Sequence, residues 1–253
     1  MVTVEIPHGG SGTGIHYWIL KGVGCPIAAS LADTHSLSCS PGARMVGTMV
    51  HAYLEQWRNE RISAGDRMTF IDPKEGCPPP SEEDEDEAHR LFVAYCQERT
   101  RGYFGPVAGT EVKLSGNAVE TAVGVAPFTA LVDLITVNPD GTLTITDYKT
   151  SRASGNVYCR GTALLQLHAY YIAARASGYD VSRIQVEQIT KTKTPKINIY
   201  EIDPPSPGQI IALRRFLQYA KTRSESGLTG PHLPSCDTCE WMRAGVCRRG
   251  IVT

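Results

Sequence analysis

Asp133, Asp147 and Lys149 lie in two short runs, Leu131-Val132-Asp133 and Thr146-Asp147-Tyr148-Lys149. Residues 131–137 and 142–148 read as strands joined by Asn138-Pro139-Asp140-Gly141, a strong turn signal. If Val137 faces Thr142 across that turn, Asp133 lies opposite Thr146, within one step of Asp147. Side chains alternate along a strand, so Asp147 and Lys149 project from the same side. Carboxylates that converge on an apolar sheet raise one another's pKa, and a divalent cation removes the conflict. Mg²⁺ takes one or two carboxylates and completes its shell with water and substrate phosphate. Such an ion polarises a phosphate and activates water, and Lys149 could orient that water or stabilise charge on phosphorus. An edge hairpin with solvent-facing charges would show the same letters, so the surrounding elements must decide.

Those elements follow from periodicity. Val46, Val50, Leu54 and Trp57 form one apolar stripe of a helix over 44–60, with Gly47 inside it, so the start is expected nearer Thr48. After Cys77-Pro78-Pro79-Pro80, Ser81 followed by Asp84 resembles a capped helix start. The acidic run Glu82 to Glu87 suits the positive end of that helix, and Leu91, Phe92 and Tyr95 supply its buried face. Val112 and Leu114 belong to a strand ahead of the hairpin. A Leu-, Ala- and Tyr-rich helix is expected over 161–177, strands over 184–189 and 197–202, and a helix opened by Pro207 that ends near Ser226. This order predicts a mixed α/β or α+β domain spanning residues 1–253.

Glu111, Asp133 within Thr129-Ala130-Leu131-Val132-Asp133, and Asp147-Tyr148-Lys149-Thr150 together resemble the PD-(D/E)XK nuclease superfamily. The resemblance is to its RecB-like exonuclease branch, including the CRISPR-associated Cas-four-type iron–sulfur exonucleases. Thr129 or Ala130 stands near the position where that branch often has glycine. His51 resembles the branch's upstream metal-binding histidine, and Gln166 and Tyr170 its downstream Gln-x-x-x-Tyr motif. The resemblance implies a restriction-endonuclease-like core, a central mixed sheet flanked by helices. It implies catalysis by Glu111, Asp133, Asp147 and Lys149, with Mg²⁺ or Mn²⁺ on His51, Asp133 and Asp147. Gln166 and Tyr170, one turn apart on a helix, would contact DNA or order the site; packing alone would explain them equally.

Eight cysteines without a secretory signal argue for metal ligands and buried thiols rather than disulfides. Cys236, Cys239 and Cys247 are closely spaced, and three thiolates need a distant fourth ligand. The resemblance implies a [4Fe–4S] cluster held with one N-terminal cysteine, Cys25 ahead of Cys39. It would join segments 1–43 and 228–253. The gap from Cys239 to Cys247 is longer than is common in the family, which leaves Zn²⁺ open, with His232 as a ligand.

A chain of 253 residues, 42% hydrophobic and 20% charged, suits a globular protein, and no apolar run is long enough for a membrane span. The cytoplasm is the expected location. A net charge of −1 excludes a bulk polycation but not a local basic groove. Lys191, Lys193 and Lys196, or Arg214, Arg215, Lys221 and Arg223, could neutralise phosphates; Tyr170, Tyr171 and Trp241 could stack bases. The same residues would also suit a solvated turn and helix surface. Residues 7–14 are glycine-rich but lack the Gly-Lys-Ser/Thr ending of a phosphate loop. The expected activity is metal-dependent exonucleolytic cleavage of single-stranded DNA ends, in recombination, repair, phage DNA processing or CRISPR spacer acquisition. Helicase, recombinase or CRISPR adaptation proteins would be the partners. A structure-specific endonuclease of the same superfamily and a non-catalytic DNA-binding or assembly module are the competing readings.

Overall fold

The computed structural model describes residues 43–59, 80–100, 105–114, 130–152, 161–213 and 215. Two helices come first, α1 (Ala43–Arg58) and α2 (Glu82–Thr100), then strands β1 (Val107–Leu114), β2 (Ala130–Val137) and β3 (Leu143–Ser151). Helix α3 (Gly161–Ala176) leads into β4 (Val181–Thr190) and β5 (Ile197–Ile202). A last helix, α4, takes in residues 207–213 and 215 among the described residues. The strands form one mixed sheet in the order β1-β2-β3-β4-β5. All neighbours are antiparallel except β3 and β4, which run parallel because α3 carries the chain back across the sheet.

Local chemistry explains the helix starts. Ser81 Oγ accepts from the Asp84 backbone N–H at 3.2 Å and donates to the Asp84 carboxylate at 2.8 Å, so the expected cap forms. At α4, Ser206 Oγ accepts from Gln209 N at 3.3 Å while Ser206 N donates to Gln209 Oε1 at 2.8 Å, a reciprocal capping box. Helix α1 begins at Ala43, earlier than its internal glycine led us to expect. A Cβ at Gly47 would lie 3.1 Å from Thr150 Oγ1, so α1 runs close against the end of β3.

The sheet is covered on both faces. Met49, Val50, Tyr53 and Leu54 of α1 and Leu91, Phe92 and Tyr95 of α2 pack on Leu134, Tyr148 and Ile189. On the other face Ala169, Ile172 and Ala173 of α3 meet Val112, Val132, Ile135 and Ile145.

Val132 and Leu134 have the same parity yet join opposite faces, so side-chain alternation breaks at Asp133. The ladder breaks there too. Thr110 pairs with Leu134 and Val112 with Val132, while Glu111 and Asp133 between them are skipped. Glu111 has φ 47°, the one left-handed non-glycine among the described residues. On the other side, pairing of β2 with β3 ends at Leu134–Thr146, and β3 continues beside β4 alone. The hairpin register is one residue from the expected one: Val137 faces Leu143, not Thr142. Thr142 is taken into the turn, where its N–H donates to Asp140 Oδ1 at 3.0 Å and its carbonyl accepts from Asn138 N at 2.7 Å. The shift brings Asp133 to the level of Asp147.

Candidate metal centre

The candidate residues meet where β2 and β3 part. Loss of the β2 partner leaves the Tyr148 N–H without a strand acceptor, and Asp133 Oδ2 accepts it at 2.7 Å. His51 Nδ1 of α1 lies 3.6 Å from the same oxygen. One ligand atom each from His51, Glu111 and Asp133 fall within 4.8 Å of one another. Asp147 is buried, and its Oδ2 stands 2.6 Å from Lys149 Nζ. That oxygen has no well-aligned hydrogen bond among the described residues.

The electrostatics show why a cation fits. Burial, then the neighbouring Asp133 charge, pushes the Glu111 carboxyl up to about 7. Burial also raises Asp147, reinforced by Asp133 and opposed by Lys149. Asp133 goes the other way: burial opposes its charge, but His51, Lys149 and the Tyr148 N–H hold its carboxyl below the usual range. Burial likewise works against a His51 imidazolium, and Asp133 more than offsets it. Three carboxylates thus crowd one lysine and one imidazole. Oxygen ligands with a single imidazole suit Mg²⁺ or Mn²⁺.

Across the site, Gln166 Nε2 donates to Tyr170 Oη at 2.6 Å, and Gln166 Oε1 is buried with no partner among the described residues. Burial and then the Asp147 and Asp133 charges hold the Tyr170 hydroxyl well above the ordinary tyrosine value.

The sequence matches the family model of the PD-(D/E)XK nuclease superfamily over residues 23–248. The chain belongs to the PD-(D/E)XK nuclease superfamily. Its mixed sheet with flanking helices is the restriction-endonuclease-like fold of that superfamily. The crystal structure of a protein from Eubacterium rectale named "Putative exonuclease" is similar at TM-score 0.55 and 12% identity, over 91% of this chain and 87% of that one. The likeness is one of fold. A second structure, that of SSO0001, covers 91% of this chain and 94% of its own at 16% identity, with TM-score 0.42. No curated protein matches.

Within this PD-(D/E)XK chain, Glu111, Asp133, Asp147, Lys149, His51, Gln166 and Tyr170 all stand on the elements around the β2–β3 parting. Cys25, Cys39, Cys236, Cys239 and Cys247 lie outside the described residues, as do His232, Trp241, Lys221 and Arg223. The lysine turn between β4 and β5 is described. Lys191 N donates to Ser151 O at 2.7 Å, and Arg90 Nη1 donates to Thr192 O at 2.5 Å, so the turn is tied to the end of β3. Burial lowers the Lys191 pKa, with Glu87 of α2 acting against that shift.

Sequence reasoning passed over Glu187. It is fully buried on β4, where Tyr95 Oη donates to its Oε2 at 2.6 Å and Arg99 forms an ion pair with it. A signal existed: in a strand from Ile184 to Ile189, Glu187 shares a face with core-bound Ile189.

Proposed function

We propose that this chain is a divalent-metal-dependent deoxyribonuclease of the RecB-like branch that degrades single-stranded DNA from its ends. The observation that carries this reading is the convergence of His51, Glu111 and Asp133 beside the Asp147–Lys149 pair. His51, Asp133 and Asp147, with Glu111, are the residues that would hold Mg²⁺ or Mn²⁺. When bound, the ion polarises the scissile phosphate and lowers the pKa of the attacking water. Lys149, 23% exposed, is near enough to that charge to orient the water and stabilise the pentavalent phosphorus. Gln166 and Tyr170 order the site from the α3 side and contact the strand. The exonuclease named in the Eubacterium rectale neighbour agrees in direction.

The same reading takes residues 1–253 as one nuclease domain. Cys25, Cys236, Cys239 and Cys247 hold a [4Fe–4S] cluster that staples segments 1–43 and 228–253. Zn²⁺ on the same thiolates is the alternative. A cytoplasmic protein of recombination, repair, phage DNA processing or CRISPR adaptation, working beside a separate helicase or recombinase, fits this activity. Among the described residues no helix is long and apolar enough to cross a membrane.

Linear and circular single-stranded DNA, each incubated with Mn²⁺, test the proposal. The wild-type protein should degrade the linear strand and leave the circle intact. Asp147→Ala and Lys149→Ala should each lower the rate by about 100-fold or more. Cutting of circles would replace the exonuclease reading with an endonuclease. Failure of the wild type to cut any nucleic acid with Mg²⁺ or Mn²⁺ would overturn the nuclease assignment of this site.

A further inference from the structure

Tyr148 touches two of the three clustered ligand candidates by different means. Its backbone N–H holds Asp133 Oδ2 at 2.7 Å. Its ring stands edge-on to His51, with centroids 5.8 Å apart and planes at 82°. Behind it lies a third ring, Tyr95, again edge-on, at 5.7 Å and 85°. Tyr95 is itself fixed. Its Oη donates to Glu187 Oε2 at 2.6 Å and accepts from Arg58 Nη2 at 2.8 Å. Glu187 also accepts from Gln185 Nε2 at 2.9 Å and pairs with Arg99.

Filling this volume does not require a buried charge, since apolar residues fill a core with less desolvation. A satisfied buried network instead restricts its members to one arrangement. The network draws residues from α1, α2 and β4 onto a single hydroxyl, and the ring carrying that hydroxyl leans on the ring that leans on His51. We infer that Tyr95, held by Glu187 and Arg58, is a positioning residue for the metal centre and acts on His51 through the Tyr148 ring. The inference rests on the metal-dependent reading above, but it concerns the packing behind His51 on the α1–α2 face of the sheet rather than a ligand of the metal.

Mn²⁺ binding followed by electron paramagnetic resonance, without substrate, tests it. Tyr148→Leu should weaken Mn²⁺ affinity by about 10-fold or more, as loss of a group that orients ligands does. Glu187→Gln should weaken binding by about threefold and broaden the Mn²⁺ spectrum, and Tyr95→Phe, which removes the hydroxyl that Glu187 and Arg58 hold, should do the same. A folded Tyr148→Leu or Tyr95→Phe that binds Mn²⁺ like the wild type overturns the inference. If Tyr148→Leu does not fold, Glu187→Gln decides, and wild-type affinity with an unchanged spectrum overturns the inference. Absence of Mn²⁺ binding in the wild type would instead remove the metal-dependent reading and this inference with it.

Discussion

Glu111 bears the conflict at the centre of this site. Its φ of 47° is a conformation that costs a non-glycine residue about 1–3 kcal/mol. Burial and Asp133 then raise its carboxyl to about 7. A raised carboxyl pKa means that the folded, metal-free protein prefers the protonated acid. That contribution to stability is full below the ordinary value of 4.5 and is lost as pH rises through about 7. Glu111→Gln should therefore raise the melting temperature of the metal-free protein at pH 8, by about 2–4 °C per kcal/mol recovered, and change it little at pH 4. The same substitution should weaken Mn²⁺ binding. It should also flatten the rise in affinity of the wild type between pH 6 and 8, because ligands must lose protons to bind metal. A Glu111→Gln protein that melts below wild type at pH 8 would show that the carboxylate is not the strained group.

At the scale of elements, the site exists because β2 and β3 stop pairing after Leu134 and Thr146. The parting opens room for His51 to reach Asp133, and it frees the N–H that Asp133 accepts. Helix α1 must lie close for this, and Gly47 against Thr150 allows it. Gly47→Ala should be tolerated. A mid-helix alanine gains about 0.5–1 kcal/mol over glycine, and the 3.1 Å contact needs only a small turn of the Thr150 side chain. Gly47→Leu should push α1 off β3, costing about 1–3 kcal/mol in overpacking and most of the Mn²⁺ affinity. Thermal melts and Mn²⁺ titrations of the two variants check this. Equal Mn²⁺ affinity in Gly47→Leu and wild type would show that α1 does not set the position of His51.

Across the whole molecule, the family match runs from residue 23 to residue 248, so it takes in both Cys25 and Cys247. If these ends share an iron–sulfur cluster, protein purified without oxygen should be brown, with broad visible absorbance and about four irons per chain. Cys236→Ala should bleach that colour and lower the melting temperature, yet leave Mn²⁺ binding at the acidic site, whose ligands are other residues. Zinc in place of iron, measured by elemental analysis, would select the other ligand chemistry. Charge is distributed on the same scale. The lysine turn after β4 is tied to the end of β3, two residues beyond Lys149, and lies beside the acidic start of α2, with Lys191 facing Glu87 and Asp84.

The sequence by itself determined the ligand types, their order and the elements that carry them. Acid, imidazole and lysine chemistry, the Ser81 cap, the Asn138–Gly141 turn and the strand from Ile197 to Ile202 are all local properties, readable from composition and period. Tertiary structure decided what depends on residues far apart in the chain. The one-residue shift in the hairpin, the broken alternation at Asp133 and the left-handed Glu111 appear only once β2 is paired with β1 on one edge and β3 on the other. The Glu187–Tyr95–Arg99 network joins residues up to 92 positions apart, and no short window of sequence contains it. Local pattern names the groups, and long-range pairing sets which of them meet.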